Sequence, residues 1–351
     1  MMKLKEILYK ENLSRDDLIY LFNISEMYEL DQLFERADEV RRENCGDDVV
    51  LRGLIEFSNF CEAHCNYCGL REDNFSLKRY RMTAEEIIET ARTINNVGIK
   101  TIVLKSGDDT YYDTDIISYI IYTIKQSSET AVTLALGERG FDEYRAWKIS
   151  GADRYLMKFE TSNSMQYSIH HPDENLSDRI NHIKYLRRLG YEIGTGNLIG
   201  LPSQSIDDLV NDLILVKNLG TDLAAFSPFV PAAFTPYQNK QSGNVILSLK
   251  TIAIARLYLK KVNILSTNAL DSIDPYGREK GLNVGANVVM INFTPQPYRE
   301  NFQSYKNKRG ITEQPIHSAI SLQQRIEAIS KKVLTSQGNS LNVNKVNYDG
   351  Q

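Results

Sequence analysis

The sequence predicts an α/β chain, a (β/α)8 barrel of the TIM type with an N-terminal helical extension. Three observations carry this expectation. Eight short apolar runs alternate with longer amphipathic stretches. A length of 351 residues suits one large barrel. Polar and glycine-containing clusters follow the apolar runs, which is where a barrel carries its chemistry.

Taken in order, residues 1–48 read as helical, with Leu4, Ile7 and Leu8, then Leu18, Leu21 and Phe22, then Leu30, Leu33 and Phe34 at helical spacing. Ser14 followed by Asp16 and Asp17 is a helix start, since acids favour the positive end of the dipole. The strand candidates are residues 49–57, 101–104, 132–136, 154–158, 191–199, 223–229, 262–266 and 287–291. Thr83 with Glu86, and Ser205 with Asp208, place an acid three residues after a hydroxyl cap, the capping-box arrangement that opens a helix. These boundaries give an N-terminal helical cap over 1–48, a barrel over 49–300 and a C-terminal extension over 301–351. From Thr335 onward the extension is rich in Asn, Ser, Gly and Lys and is expected to be loosely ordered.

Composition narrows the functional classes. Hydrophobic residues make up 42% and charged residues 25%, an ordinary globular balance. The formal net charge is −4, so no basic surplus points to nucleic acid. The N-terminus lacks the apolar core of a signal peptide, and no run approaches a membrane span. The expected location is the cytoplasm.

Only four cysteines occur, and three lie between positions 61 and 68. A disulfide scaffold would spread them along the chain, whereas clustered cysteines in a cytosolic protein point to metal or redox chemistry. Cys45 stands apart as an incidental thiol. Cys61, Cys65 and Cys68 form C-x3-C-x2-C directly after the first strand. Three thiolates suit a four-iron cubane that leaves one iron without a protein ligand. The amino and carboxylate groups of S-adenosylmethionine (SAM) are the natural fourth ligand, and an electron from a [4Fe-4S] cluster would cleave the sulfonium to a 5′-deoxyadenosyl radical. A structural zinc site of three Cys plus His64 is the bland alternative, although zinc favours paired C-x2-C units. Tyr67, just before the third cysteine, either flanks the adenine or packs the loop.

The motif and its surroundings resemble the radical SAM enzymes. Ile55-Glu56-Phe57-Ser58-Asn59-Phe60-Cys61, Cys68-Gly69-Leu70-Arg71-Glu72-Asp73-Asn74 and Lys78-Arg79-Tyr80-Arg81-Met82-Thr83 are similar to the branch of the [FeFe]-hydrogenase maturase HydE, which groups with biotin synthase and methylornithine synthase. The resemblance runs from about residue 48 to about residue 300. It implies cofactor contacts from Gly107 and Asp108, where Glu is usual in place of Asp, and from Glu160, Arg179 and Asn197. Glu160 and Arg179 carry the catalytic expectation, with Arg179 gripping the SAM carboxylate bidentately.

For substrate, the strand ends offer Thr133, Arg154, Lys158, Thr267 and Asn268, although strand alternation does not settle which way Thr133 points. His170-His171 reads as a solvated pair. Three departures from the branch stand out. Lys158-Phe159-Glu160-Thr161 replaces Arg-His-Glu-Thr, Pro231-Ala232 replaces Pro-His, and no cysteine follows Cys68. The resemblance implies hydrogenase maturation on a small cysteine-bound iron carbonyl cyanide species, with a reductant such as ferredoxin or flavodoxin and with other maturases as transient partners. The alternatives are a methylornithine-type rearrangement of a small amino-acid-like substrate, or a non-catalytic metal-binding protein.

Overall fold

The computed structural model describes residues 2–342. Eight parallel strands form the barrel wall: β1 (Asp48–Ser58), β2 (Thr101–Ser106), β3 (Ala131–Ala135), β4 (Arg154–Leu156), β5 (Glu192–Thr195), β6 (Leu223–Ala224), β7 (Asn263–Ile264) and β8 (Val288–Asn292). They pair in chain order, and β8 pairs β1 with Val50 opposite Val288. The ring closes between β7 and β8 through a single bridge, Leu265 to Val288, reinforced by Asn287 N donating to Ile264 O at 3.0 Å and Ser266 N donating to Val288 O at 2.9 Å. All eight predicted strands are present, joined by helices with the predicted caps at Thr83 and Ser205.

The fifth run is shorter than predicted. After Thr195 the chain leaves the ring, and Leu198–Ile199 pairs instead with Ser227–Pro228 in a separate two-stranded ladder. Gly196 permits the bend at φ 155°, and a Cβ there would fall 2.1 Å from Ala225 O.

The N-terminal residues form three helices, Met2–Leu8, Arg15–Asn23 and Met27–Cys45; the second packs on helices Ile206–Asn218 and Val245–Leu259 at the side of the barrel, the third on Val245–Leu259, and the first on the third. Inside the ring Leu54, Val103, Ala135, Ala225, Leu265 and Met290 form an apolar layer. It separates a polar floor, at the strand starts, from the chemistry above.

The floor holds much of the C-terminal extension. Strand β9 (Lys332–Leu334) pairs with the start of β1. Beyond it, the stretch expected to be loosely ordered is bonded to the barrel as far as 342. Thr101 Oγ1 donates to Gln337 O at 2.8 Å, Ser340 Oγ to Asp222 Oδ1 at 2.5 Å and Asn342 Nδ2 to Thr221 O at 2.9 Å. The remainder of the tail lies outside the described residues.

Arg154 belongs to this floor, which corrects its expected place among the substrate groups. As the first residue of β4 it sits at the wrong end of the barrel. Its guanidinium meets Glu192 at 2.7 Å, Thr101 Oγ1 at 3.0 Å and Asn339 Oδ1 at 2.6 Å. Thr133 is likewise buried low in the ring, beside Arg52 and Arg154 and below the apolar layer, so it too is removed from the substrate set. Arg52 next to it is fully buried, and burial together with the Arg154 charge lowers its pKa to about 9.

Candidate active site

The strand ends open into a cavity of about 290 Å³, a volume close to that of small-ligand pockets. Its wall carries Glu56, Lys105, Lys158, Glu160, Arg179, Thr267 and Asn268. The loop that follows β1, residues 59–82, abuts the end of β2, whose Lys105 and Ser106 line the cavity, and the hydrogen bonding of this loop is well defined. Arg79 spans it from within, donating Nη1 to Asn59 O at 2.5 Å and to Leu70 O at 2.8 Å, and Nη2 to Arg71 O at 2.6 Å. Asn59 Nδ2 donates to Lys78 O at 2.8 Å and to Asn301 O at 2.7 Å. A cation capping several carbonyls fixes an irregular backbone that no ladder can satisfy.

Cys61, Cys65 and Cys68 lie on this loop as free, half-buried thiols. Burial pushes all three thiols up, and each of Cys61 and Cys65 is raised further by the charge of Cys68. Three neighbouring thiols whose free ionisation is disfavoured by burial, and whose thiolates a cation would stabilise, fit an iron-sulfur cluster. His64 does not complete a zinc set. Its Nδ1 lies 3.0 Å from Asp73 and its Nε2 3.2 Å from Glu72, on the outer side of the loop.

Gly107 allows the end of β2 to press on the cluster loop, since a Cβ there would fall 2.2 Å from Phe60 O and 2.6 Å from Cys61 Cβ. The next amide, Asp108 N, points at Cys61 Sγ at 3.4 Å. The Asp108 carboxylate turns to Gly137, where a Cβ would meet Oδ1 at 1.7 Å. Burial raises that carboxyl to about 6, against the opposing pull of Arg179.

Arg179 is nearly buried between two carboxylates, Glu138 at 2.5 Å and Glu174 at 2.8 Å, and its Nη1 reaches Lys158 O at 3.4 Å. Glu174 is held down to about 2 by His171 and Arg179 despite its burial. Asp108, Glu138 and Glu174 around one guanidinium leave an excess of negative charge. That balance suits a ligand carrying ammonium and sulfonium groups. Glu160 closes this side with a left-handed backbone, φ 62°, unusual for a residue with a side chain. Its carboxylate accepts from Lys158 Nζ at 2.7 Å, and its carbonyl accepts from Leu198 N at 2.9 Å.

Other predicted residues fall into place unevenly. Thr267 Oγ1 caps the helix Asn268–Ile273, and Asn268 Oδ1 is buried without a partner among the described residues, on the cavity wall. Asn197 is a correction. Its side chain is completely buried and donates Nδ2 to Asp212 at 2.6 Å, facing helix Ile206–Asn218 and not the cavity. His170 and His171 are also not solvated, being 1% and 2% exposed. His170 Nδ1 meets Tyr237 OH at 2.8 Å, while His171 reaches the cluster loop at Cys65 and Tyr67. Tyr67 packs beside Leu198, Leu201 and Phe229.

Four cavity residues escaped the sequence reading. Glu56 and Lys105 are charged residues inside apolar strands, two positions beyond inward-facing Leu54 and Val103, and strand alternation could have found them. Lys308 and Tyr305 come from the extension and close the cavity from above. Lys308 Nζ donates to Glu56 at 2.6 Å and 2.5 Å. Lys105 Nζ faces the Phe302 ring at 5.3 Å and has no hydrogen-bond acceptor among the described residues.

Comparison with known proteins agrees with this geometry. Residues 55–216 match the model of the radical SAM superfamily. The chain is 44% identical over 327 residues to the [FeFe] hydrogenase maturase subunit HydE of Thermotoga maritima, covering 93% of this chain and 94% of that one. It is 29% identical to the 3-methylornithine synthase of Methanosarcina acetivorans over 79% of each. Among solved structures, methylornithine synthase superposes with a TM-score of 0.83 at 24% identity, covering 94% of this chain and 97% of that one, a likeness of fold.

Proposed function

The chain belongs to the HydE family of [FeFe]-hydrogenase maturases within the radical SAM superfamily, and from that premise we propose how its own residues serve hydrogenase maturation. Enzymes of the superfamily use a [4Fe-4S] cluster and SAM, and the bound pair supplies a 5′-deoxyadenosyl radical by reductive cleavage. The observation that carries the reading is the placement of three half-buried thiols on one short loop against the end of β2, beside a cavity whose wall carries Arg179 held between Glu138 and Glu174.

Cys61, Cys65 and Cys68 would hold the cluster. Gly107 and Asp108 bring β2 against it, and the acidic group of Asp108, Glu138 and Glu174 would receive the cationic parts of SAM. Arg179 Nη1, weakly bonded at 3.4 Å, is the donor free to meet the SAM carboxylate. Glu160 and Lys158 orient the ligand from the end of β4, and Tyr67 flanks it. The substrate side is formed by Lys105, Lys158, Thr267 and Asn268, supported by Asn268 Oδ1, which has no partner among the described residues. A small or organometallic substrate fits the volume. A ferredoxin- or flavodoxin-type reductant and transient contact with other maturases complete the reading, in the cytoplasm. No helix of the described residues is long and apolar enough to cross a membrane.

Lys105 favours a second reading, a different amino-acid-like substrate, because it adds an ammonium that has no hydrogen-bond acceptor among the described residues and is suited to a carboxylate. In vitro maturation of cluster-free [FeFe]-hydrogenase separates the two. Dependence of hydrogenase activity on this protein supports maturation. Failure to support it, with SAM cleavage stimulated instead by an amino acid, supports the second.

A further inference from the structure

We propose that His171 tunes the reduction potential of the cluster by donating a hydrogen bond from Nδ1 to the Cys65 sulfur, while Nε2 fixes the hydroxyl of Tyr67. The inference rests on the reading that Cys65 is a cluster ligand. His171 Nδ1 lies 3.4 Å from Cys65 Sγ and 3.4 Å from Glu174 Oε2, and Nε2 lies 3.2 Å from Tyr67 OH. The ring is 2% exposed and stacks on Tyr167 with centroids 4.3 Å apart and planes 8° apart. Tilting the ring would break that stack, and a half-turn within its plane would take both nitrogens off their polar partners.

The partners assign the tautomer. A cluster thiolate and the Glu174 carboxylate both accept, and both face Nδ1, so Nδ1 carries the hydrogen. Nε2 is then an acceptor, and Tyr67 OH is the donor to it. His171 therefore joins the cluster loop to Glu174, which in turn grips Arg179 at 2.8 Å. Its ring is a positioning group for the cofactor pocket as well as a donor to sulfur.

Adding an electron to the cluster makes its sulfur ligands more negative. A donor aimed at one of them stabilises the reduced form more than the oxidised form and raises the potential. Asp108 N on Cys61 acts in the same sense from the backbone, so His171 is the side-chain member of the set.

The test uses the full chain, reconstituted anaerobically with iron and sulfide, and begins with iron and sulfide content. Wild-type protein that takes up no cluster would overturn the reading on which the inference rests, and the inference with it. With a cluster present, EPR-monitored redox titration without SAM compares wild type with His171→Phe, which keeps a ring on Tyr167 but removes the donor. The expected result is a more negative potential, with the reduced-to-oxidised ratio at fixed potential falling about tenfold, or ~59 mV for one electron. Equal potentials at equal iron content would overturn the proposal. Should His171→Phe hold no cluster, 15N-histidine-labelled wild type decides. ENDOR of its reduced cluster is expected to show one weakly coupled nitrogen, and no coupling would overturn the proposal.

Discussion

Replacing Lys308 with methionine removes the cation from an almost fully buried pair. The Lys308 and Glu56 side chains are 5% and 1% exposed, and the ammonium bonds both carboxylate oxygens. Asn292 Nδ2, at 2.7 Å from Glu56 Oε2, would be the remaining side-chain donor on that carboxylate. Stranding a buried charge in this way costs about 3–5 kcal/mol. Domains are stable by only about 5–15 kcal/mol, so the loss would be large. Much of it should return in the double variant Glu56→Gln/Lys308→Met, because a neutral amide no longer needs the ammonium. Urea unfolding of reconstituted wild type, single and double variants measures both differences. A Lys308→Met loss below about 1 kcal/mol, or a double variant no more stable than the single, would refute the reasoning. Because Lys308 anchors the segment that roofs the cavity, the single variant should also bind SAM more weakly.

Three further outcomes follow from the same geometry. Burial raises Asp212 from 3.8 to about 6, against hydrogen bonds from Ser162 N and Asn197 Nδ2. A raised carboxyl favours folding fully below the unfolded pKa, and that contribution is lost as pH rises through about 6. Asp212→Asn should therefore gain on wild type between pH 4 and pH 7 by about 3 kcal/mol in urea unfolding, and a flat difference would count against the burial argument. Arg154→Met should cost about 2 kcal/mol of stability through the floor while leaving SAM affinity by calorimetry unchanged; a selective loss of SAM affinity would return Arg154 to the site. Lys105→Met should raise the substrate KM about tenfold with substrate-free SAM cleavage preserved, and an unchanged KM would remove Lys105 from the substrate wall.

The strands and the cluster loop were legible because their signals are local. Apolar runs, capping boxes and C-x3-C-x2-C are each read within a dozen residues. Glu56 and Lys105 were also within reach, as charges on the inward face of buried strands. What the sequence hid was vertical position in the barrel. Arg154 and Lys158 both lie on the fourth run, four residues apart, yet one is bonded to the floor and the other lines the cavity. Nothing local distinguishes them, since the difference is set by where β4 enters the ring. Asn197 was misplaced for a related reason, because the chain bends out at Gly196 and turns the next side chain toward Asp212. The roles of Lys308 and of residues 336–342 depend on contacts more than 100 residues away in sequence, which neither spacing nor composition encodes.

The central claim, that this chain cleaves SAM at a cluster held by Cys61, Cys65 and Cys68, is tested most directly by 5′-deoxyadenosine release. Protein reconstituted anaerobically, reduced with dithionite and given SAM should release the nucleoside, and Cys68→Ala should not. Release at the same rate from Cys68→Ala, or a wild type that binds zinc in place of iron and releases none, would contradict it.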